Sequence, residues 1–153
     1  MENKIRLGIV GCGSFVQAFI PLFKAHPYVE WIAVTDLIKE RREGHAKKFG
    51  IERVYDSYEE MLKSDVNAIA VFVQRELHGP ITIAALKAGK NVYSAVPVAS
   101  SVEEIVKIAS LVKETRLTFS MGETGHYRPC SIFCRNMVKS GLTLHQNLMM
   151  ILK

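Results

Sequence analysis

Cysteine is scarce in this chain: Cys12, Cys130 and Cys134 are the only three among 153 residues. An odd number at irregular spacing cannot make the disulfide framework of a small secreted domain. Reduced thiols and a cytoplasmic setting are the expectation. No run of about 18 apolar residues occurs, so no segment reads as a membrane span and no membrane partner is expected. The opening Met1-Glu2-Asn3-Lys4 and the short apolar run that follows lack the length and cleavage signal of a secretory leader. Charge of one sign is not in large excess either. Twenty Lys and Arg against fifteen Asp and Glu leave a net +5, and no basic stripe interleaved with aromatics marks a nucleic-acid surface, so no nucleic acid is expected as partner. The one basic cluster, Lys39, Arg41, Arg42, Lys47 and Lys48, stands at helical spacing with Glu40 and Glu43, the pattern of a solvated helix face.

The chain contains what a soluble globular domain needs: 48% hydrophobic and 23% charged residues, without repeats or low-complexity stretches. Apolar runs rich in β-branched residues recur at Ile5 to Val10, Val29 to Thr35, Ala68 to Val73, Asn91 to Ala95 and Leu117 to Ser120. Helical spacing fills the intervals, at Ser14 to Ala25, Ile38 to Phe49, Tyr58 to Lys63, His78 to Lys87 and Val102 to Lys113. Ser57-x-x-Glu60 and Ser101-x-x-Glu104 match the capping box. Gly50 and Gly89 follow last turns, where a left-handed cap suits a residue without Cβ. Pro21 falls inside the first helix and predicts a bend. Strands apolar on both faces, alternating with helices, predict an α/β fold with a doubly wound parallel sheet, the Rossmann fold. The expected division is a dinucleotide-binding domain over residues 1–125, then a crossing helix and an aberrant tail over 126–153.

Gly8-Ile9-Val10-Gly11-Cys12-Gly13-Ser14-Phe15 ends the first strand and opens the first helix, where a dinucleotide fingerprint belongs. Gly11 allows the tight turn, Gly13 lets a pyrophosphate approach the backbone, and the helix N-terminus that follows offers unpaired N–H groups to the phosphates, so that Cys12, Ser14 and Phe15 join the cofactor-binding candidates. The third fingerprint position holds Val16 in place of Gly or Ala, which predicts a helix set slightly away from the strand. Asp36 closes the second strand at the distance where a carboxylate accepts hydrogen bonds from ribose hydroxyls. The bland alternative makes Asp36 the cap of the next helix and the glycines mere turn formers. A carboxylate there repels a ribose phosphate, which favours NAD over NADP. Arg41 and Arg42, a turn into the following helix, stand within reach of such a phosphate and weaken that preference.

The order Gly11-Cys12-Gly13, Asp36, Leu77-His78-x-Pro80-x-x-x-Ala84-Ala85-Leu86-x-Ala88-Gly89-Lys90-Asn91-Val92 and Pro97-x-Ala99 resembles the glucose-fructose oxidoreductase and inositol dehydrogenase family. The resemblance runs from about Ile5 to Gly141. It implies an NAD(P)-dependent oxidoreductase that passes hydride between nicotinamide and a sugar or polyol carbon, present here as its dinucleotide-binding domain. Gln74, Arg75, His78, Val96 and Pro97 then fall on positions expected to meet the cofactor, with His78 near the nicotinamide.

This chain also departs from the family pattern. Ala95-Val96-Pro97 stands where the family usually has Glu-Lys-Pro, and Val96 cannot supply the proton-transfer role of that Lys. Val73-Gln74-Arg75 replaces the usual Thr-Pro-Asn, with Gln74 and Arg75 still able to offer donors. His78 is expected as a catalytic participant, or otherwise as a helix residue held by a backbone carbonyl. Glu123, His126, Tyr127 and Arg128 correspond to the family's crossing point between domains, which makes His126 and Tyr127 further catalytic candidates, or else members of a solvated loop. His126, Cys130 and Cys134 share a four-residue spacing, but a helix opening at Pro129 leaves His126 outside its first turn and a fourth ligand is not evident, so no metal is expected. From Leu142 to Lys153 the resemblance ends, and the apolar, Met-rich tail reads either as an altered reading frame or premature stop, or equally as a tail that packs on a partner. That tail, with Ile132, Phe133, Met137 and Val138, predicts a homo-oligomer joined through the last helix and tail. The competing function is a non-catalytic NAD-binding module, or a remnant that associates with another chain.

Overall fold

The computed structural model describes residues 4–141, and the expectations for the tail from Leu142 onward lie outside the described residues. Two compact units divide the chain, Met1–Gly122 and Glu123–Lys153.

The first unit is built on six strands: β1 (Ile5–Val10), β2 (Val29–Thr35), β3 (Arg53–Val54), β4 (Ala68–Val71), β5 (Asn91–Ser94) and β6 (Phe119–Met121). All neighbours run parallel in the order β3-β2-β1-β4-β5-β6. This is the doubly wound Rossmann order, and its direction reverses between β1 and β4, where the crevice outside the carboxyl ends of the strands receives ligands. Successive residues of one strand face opposite sides of the sheet. Val10, Ile69 and Val71 accordingly join one buried cluster with Met61, Leu86, Ile108 and Leu111. Ile9, Ala70 and Phe72 join another, with Val16, Ile20, Ile32 and Val34. Two-sided burial is the reason these strands are apolar without alternation, and each fully buried Ile or Leu contributes roughly 1.5–3 kcal/mol.

Helices α1 (Ile20–Ala25), α2 (Lys39–Phe49), α3 (Tyr58–Lys63), α4 (Arg75–Lys87) and α5 (Val102–Thr115) complete the unit. The Ser57 and Ser101 hydroxyls accept the N–H groups of Glu60 and Glu104 at 3.1 and 3.2 Å. The returning carboxylates reach one residue further back than the capping box predicts, to the N–H groups of Asp56 and Ser100, each at 3.1 Å. Gly50 and Gly89 take the expected left-handed conformation, φ 60° and 75°. The Ile51 N–H then reaches back to Ala46 and the Lys90 N–H to Ala85, closing the last carbonyls of α2 and α4.

The first helix differs from expectation. Phe15–Ala18 form a 3-10 turn, and the α-helix begins only at Ile20, so that Pro21 sits in its first turn, where a missing N–H costs nothing, and does not bend a longer helix. Val16 falls in this turn, its side chain wholly buried in one cluster with Cys12, Ile20 and Val34.

The second unit carries a 3-10 turn at Thr124–Tyr127 and α6 (Pro129–Lys139), which starts at Pro129 as the sequence implies. Among the described residues no helix is long and apolar enough to cross a membrane.

Candidate dinucleotide-binding site

The loop from β1 to the 3-10 turn is fixed by backbone and carboxylate together. The Gly11 N–H donates to the Thr35 carbonyl at 2.9 Å, and the Cys12 N–H donates to Asp36 Oδ2 at 2.7 Å. Gly11 has φ 96°, and a Cβ there would stand 2.7 Å from the carbonyl carbon of Phe72. Only glycine meets both conditions. Beyond it the chain leaves its own donors free: among the described residues, the N–H groups of Gly13, Ser14, Phe15 and Val16 have no partner in the chain. A Cβ placed on Gly13 would meet nothing within 4 Å. Unpaired N–H groups beside open space fit a pyrophosphate, in agreement with the fingerprint, although they come from a loop and 3-10 turn and not from a regular helix.

Asp36 follows β2 directly. Besides the Cys12 bond, its Oδ1 accepts the Ile38 N–H at 2.8 Å, so the carboxylate both turns the chain into α2 and faces the glycine loop. The bonds present are those of the bland alternative, a carboxylate serving the entry of α2, with the second oxygen fastened to the glycine loop. Each oxygen keeps a lone pair for a further donor.

Arg42 is not the solvated residue its spacing suggests. Its guanidinium donates to Asp56 Oδ1 at 2.5 Å and to the Asp36 carbonyl at 3.2 Å, and its side chain is 10% exposed. Arg41 is exposed. His45, one turn on, is buried as well, with Nδ1 3.0 Å from the Arg41 carbonyl and Nε2 3.2 Å from the Gly13 carbonyl.

His78 lies on α4 and is 2% exposed. Its Nδ1 stands 2.6 Å from the Pro97 carbonyl and its Nε2 3.1 Å from the Val73 carbonyl. Both nitrogens thus face protein acceptors, and the ring ties the segment after β4 to the Val96-Pro97 turn, whose peptide is cis. Gln74 is the N-cap of α4 and Arg75 its first residue, exposed, with its Nε 4.0 Å from Glu76. Val96 is exposed, and Phe15 lies against Phe19 and Phe72 at 5.0 and 6.0 Å between ring centroids. In the second unit, Arg135 donates to the His126 ring and carbonyl, the Tyr127 ring meets His126 edge-on at 4.9 Å, and Tyr127 is exposed. Among the described residues no group of three His, Cys, Asp or Glu side chains is placed to hold a metal ion.

A separate hollow of about 270 Å³, lined by Lys24, Trp31, Gly50 and Arg53 among others, opens at the other end of the sheet, where β2 and β3 begin. It lies away from the glycine loop, the unpaired N–H groups and Asp36, and mixed charges line it. The chemistry of the loop therefore outweighs its volume.

Residues 5–123 match a family model described as an oxidoreductase family with an NAD-binding Rossmann fold. The chain belongs to the Gfo/Idh/MocA oxidoreductase family. Within that family, it is 27% identical over 139 residues to dTDP-3,4-didehydro-2,6-dideoxy-alpha-D-glucose 3-reductase of Streptomyces violaceoruber, covering 90% of this chain and 40% of the relative. It is 26% identical over 143 residues to scyllo-inositol 2-dehydrogenase (NAD(+)) of Bacillus subtilis, covering 92% and 42%. Among solved structures, the 3-ketoreductase KijD10 of Actinomadura kijaniata, in complex with NADP and TDP-benzene, shares the fold. The TM-score is 0.82 at 24% identity, over 91% of this chain and 43% of that one. The chain thus spans about 40% of the length of these curated Gfo/Idh/MocA relatives.

Cys12 holds its thiol as a buried group and not as a nucleophile. Burial foremost, then the Asp36 carboxylate, with Arg42 partly opposing, pushes the thiol from 9.0 up to about 12. The folded state therefore binds this proton more tightly than the unfolded chain, and the associated stability is whole below pH 9 and lost as the pH rises toward about 12. At pH 8 a thiol reagent is expected to label Cys130 and Cys134, both exposed, and to reach Cys12 only on unfolding. Immediate labelling of three thiols in the folded chain would contradict this packing.

Proposed function

We propose that this chain binds NAD in preference to NADP through Gly11, Cys12, Gly13, Ser14, Phe15 and Asp36, and serves a sugar or polyol oxidoreductase. The observation that carries the reading is the Asp36 carboxylate, tied to the Cys12 N–H at 2.7 Å and so set beside the unpaired N–H groups of the loop. At that place it accepts from the two ribose hydroxyls and repels a phosphate on either. Of the two cations that would oppose this preference, Arg42 is engaged by Asp56, whereas Arg41 is exposed. Relatives point both ways: the Bacillus subtilis enzyme is named for NAD(+), and the Actinomadura kijaniata structure holds NADP.

When bound, the nicotinamide supplies or accepts the hydride. The chain's own residues would bind and orient: the loop N–H groups would hold the pyrophosphate, Gln74 and Arg75 would offer it donors, and His78, against the Pro97 carbonyl, would fix the Val96-Pro97 turn. Asp36→Ala is expected to weaken NAD binding by about 1–3 kcal/mol, the cost of charge-assisted bonds left unmade. Calorimetry that gives NAD and NADP equal affinity, unchanged by that substitution, would defeat the assignment.

Val96 favours a second reading, a dinucleotide-binding module without turnover. It is 45% exposed and carries no titratable or polar atom. On this reading the chain reduces NAD with none of a panel of sugars and polyols, whereas measurable NADH formation with any of them would return it to the catalytic class.

Assembly follows from α6. Ile132, Phe133 and Val138 are exposed on it at 40%, 63% and 55%, which supports a homo-oligomer that covers such side chains. Light scattering at micromolar concentration is expected to give a dimer or larger species, and a monodisperse monomer would contradict it.

A further inference from the structure

His45 belongs to no fingerprint, yet it is the side chain from α2 that touches the glycine loop. It is 8% exposed, and its Nε2 stands 3.2 Å from the Gly13 carbonyl. No other donor to that carbonyl is present among the described residues. Its Nδ1 stands 3.0 Å from the Arg41 carbonyl, four residues earlier on the same helix, an acceptor that already takes a helical N–H. A neutral imidazole has one N–H to give. The carbonyl without another donor is Gly13's.

We infer that His45 is a positioning residue for the pyrophosphate, its Nε2–H holding the Gly13 carbonyl so that the Ser14 N–H is turned toward the ligand. This inference rests on the dinucleotide reading above. A trans peptide is planar, with its C=O and N–H pointing in opposite directions. Drawing the Gly13 oxygen toward α2 therefore turns the Ser14 N–H away from α2, and that N–H has no partner among the described residues. Glycine turns more freely about its backbone bonds than any other residue, so the Gly13-Ser14 peptide needs a tether if its donor is to stay in place. Ser14 gives none, since its side chain makes no cap bond. The role acts on the phosphates alone and has no bearing on the adenine or ribose contacts.

The test uses the whole chain with His45→Gln and His45→Asn. Glutamine carries an amide N–H about as far from the backbone as Nε2, whereas asparagine reaches only as far as Nδ1. ADP binding is measured by calorimetry and adenosine, which lacks the pyrophosphate, by NMR titration. His45→Asn is expected to weaken ADP by about tenfold and His45→Gln to stay within about threefold of the parent, with adenosine unchanged in all three. Ring 15N NMR of the parent at pH 8 reads the same assignment without a substitution: the Nε2–H tautomer is expected, and the Nδ1–H tautomer would overturn it. ADP affinity left intact by His45→Asn, equal losses in both variants, or a parallel loss of adenosine would also overturn it. If the parent bound no ADP at all, the dinucleotide site would fall together with this role. Binding by the parent that both variants retain would overturn the role alone.

Discussion

The constraint on which the site depends is the pairing of one carboxylate with two backbone N–H groups. Asp36 accepts from Cys12 at 2.7 Å and from Ile38 at 2.8 Å, and so joins the exit of β1, the exit of β2 and the entry to α2. Parallel neighbours bring those exits together: Val10 pairs with Thr35, so both chains leave the sheet at the same level. Gly11 can then turn only because it lacks a Cβ against Phe72. A bare Gly-x-Gly could be any tight turn, but with the carboxylate fastened to it the loop presents free donors beside a fixed negative charge.

A second layer holds that arrangement from behind. Arg42 donates to the Asp36 carbonyl and to Asp56, and His45 faces the Gly13 carbonyl, so α2 supports both halves of the site from adjoining turns. Burying a guanidinium costs several kcal/mol unless it is paired and hydrogen-bonded, which ties Arg42 firmly to Asp56. On the other side of the switch point, His78 stands between the carbonyls of Val73 and Pro97, with the one N–H of a neutral ring to give to either.

Features whose cause is local were legible in the sequence. β1 and β2 have the expected bounds, since beyond Arg6 and Glu30 near their starts their residues are apolar or small, as burial on both faces requires. The hydroxyls of Ser57 and Ser101 cap the helices that their spacing to Glu60 and Glu104 predicts. Features whose cause is distant were not legible. β3 has only Arg53 and Val54, and exists because they pair with Ala33 and Val34. The basic cluster on α2 reads as solvated until Asp56, 14 residues along the chain, is seen to close on Arg42. His45 acquires its partner across 32 residues. Val16 in the third glycine position predicts a displaced helix, whereas the chain makes a 3-10 turn at Phe15–Ala18 with Val16 buried in the core.

The central claim is that the dinucleotide lies on the glycine loop and Asp36, at the carboxyl ends of β1 and β2. Amide NMR of the labelled chain titrated with NAD tests it most directly. The account predicts that the largest shifts fall on Gly11 to Val16 and on Asp36 to Ile38, saturating together as NAD is added. Shifts gathered instead on Trp31, Gly50 and Arg53, around the hollow where β2 and β3 begin, would contradict it.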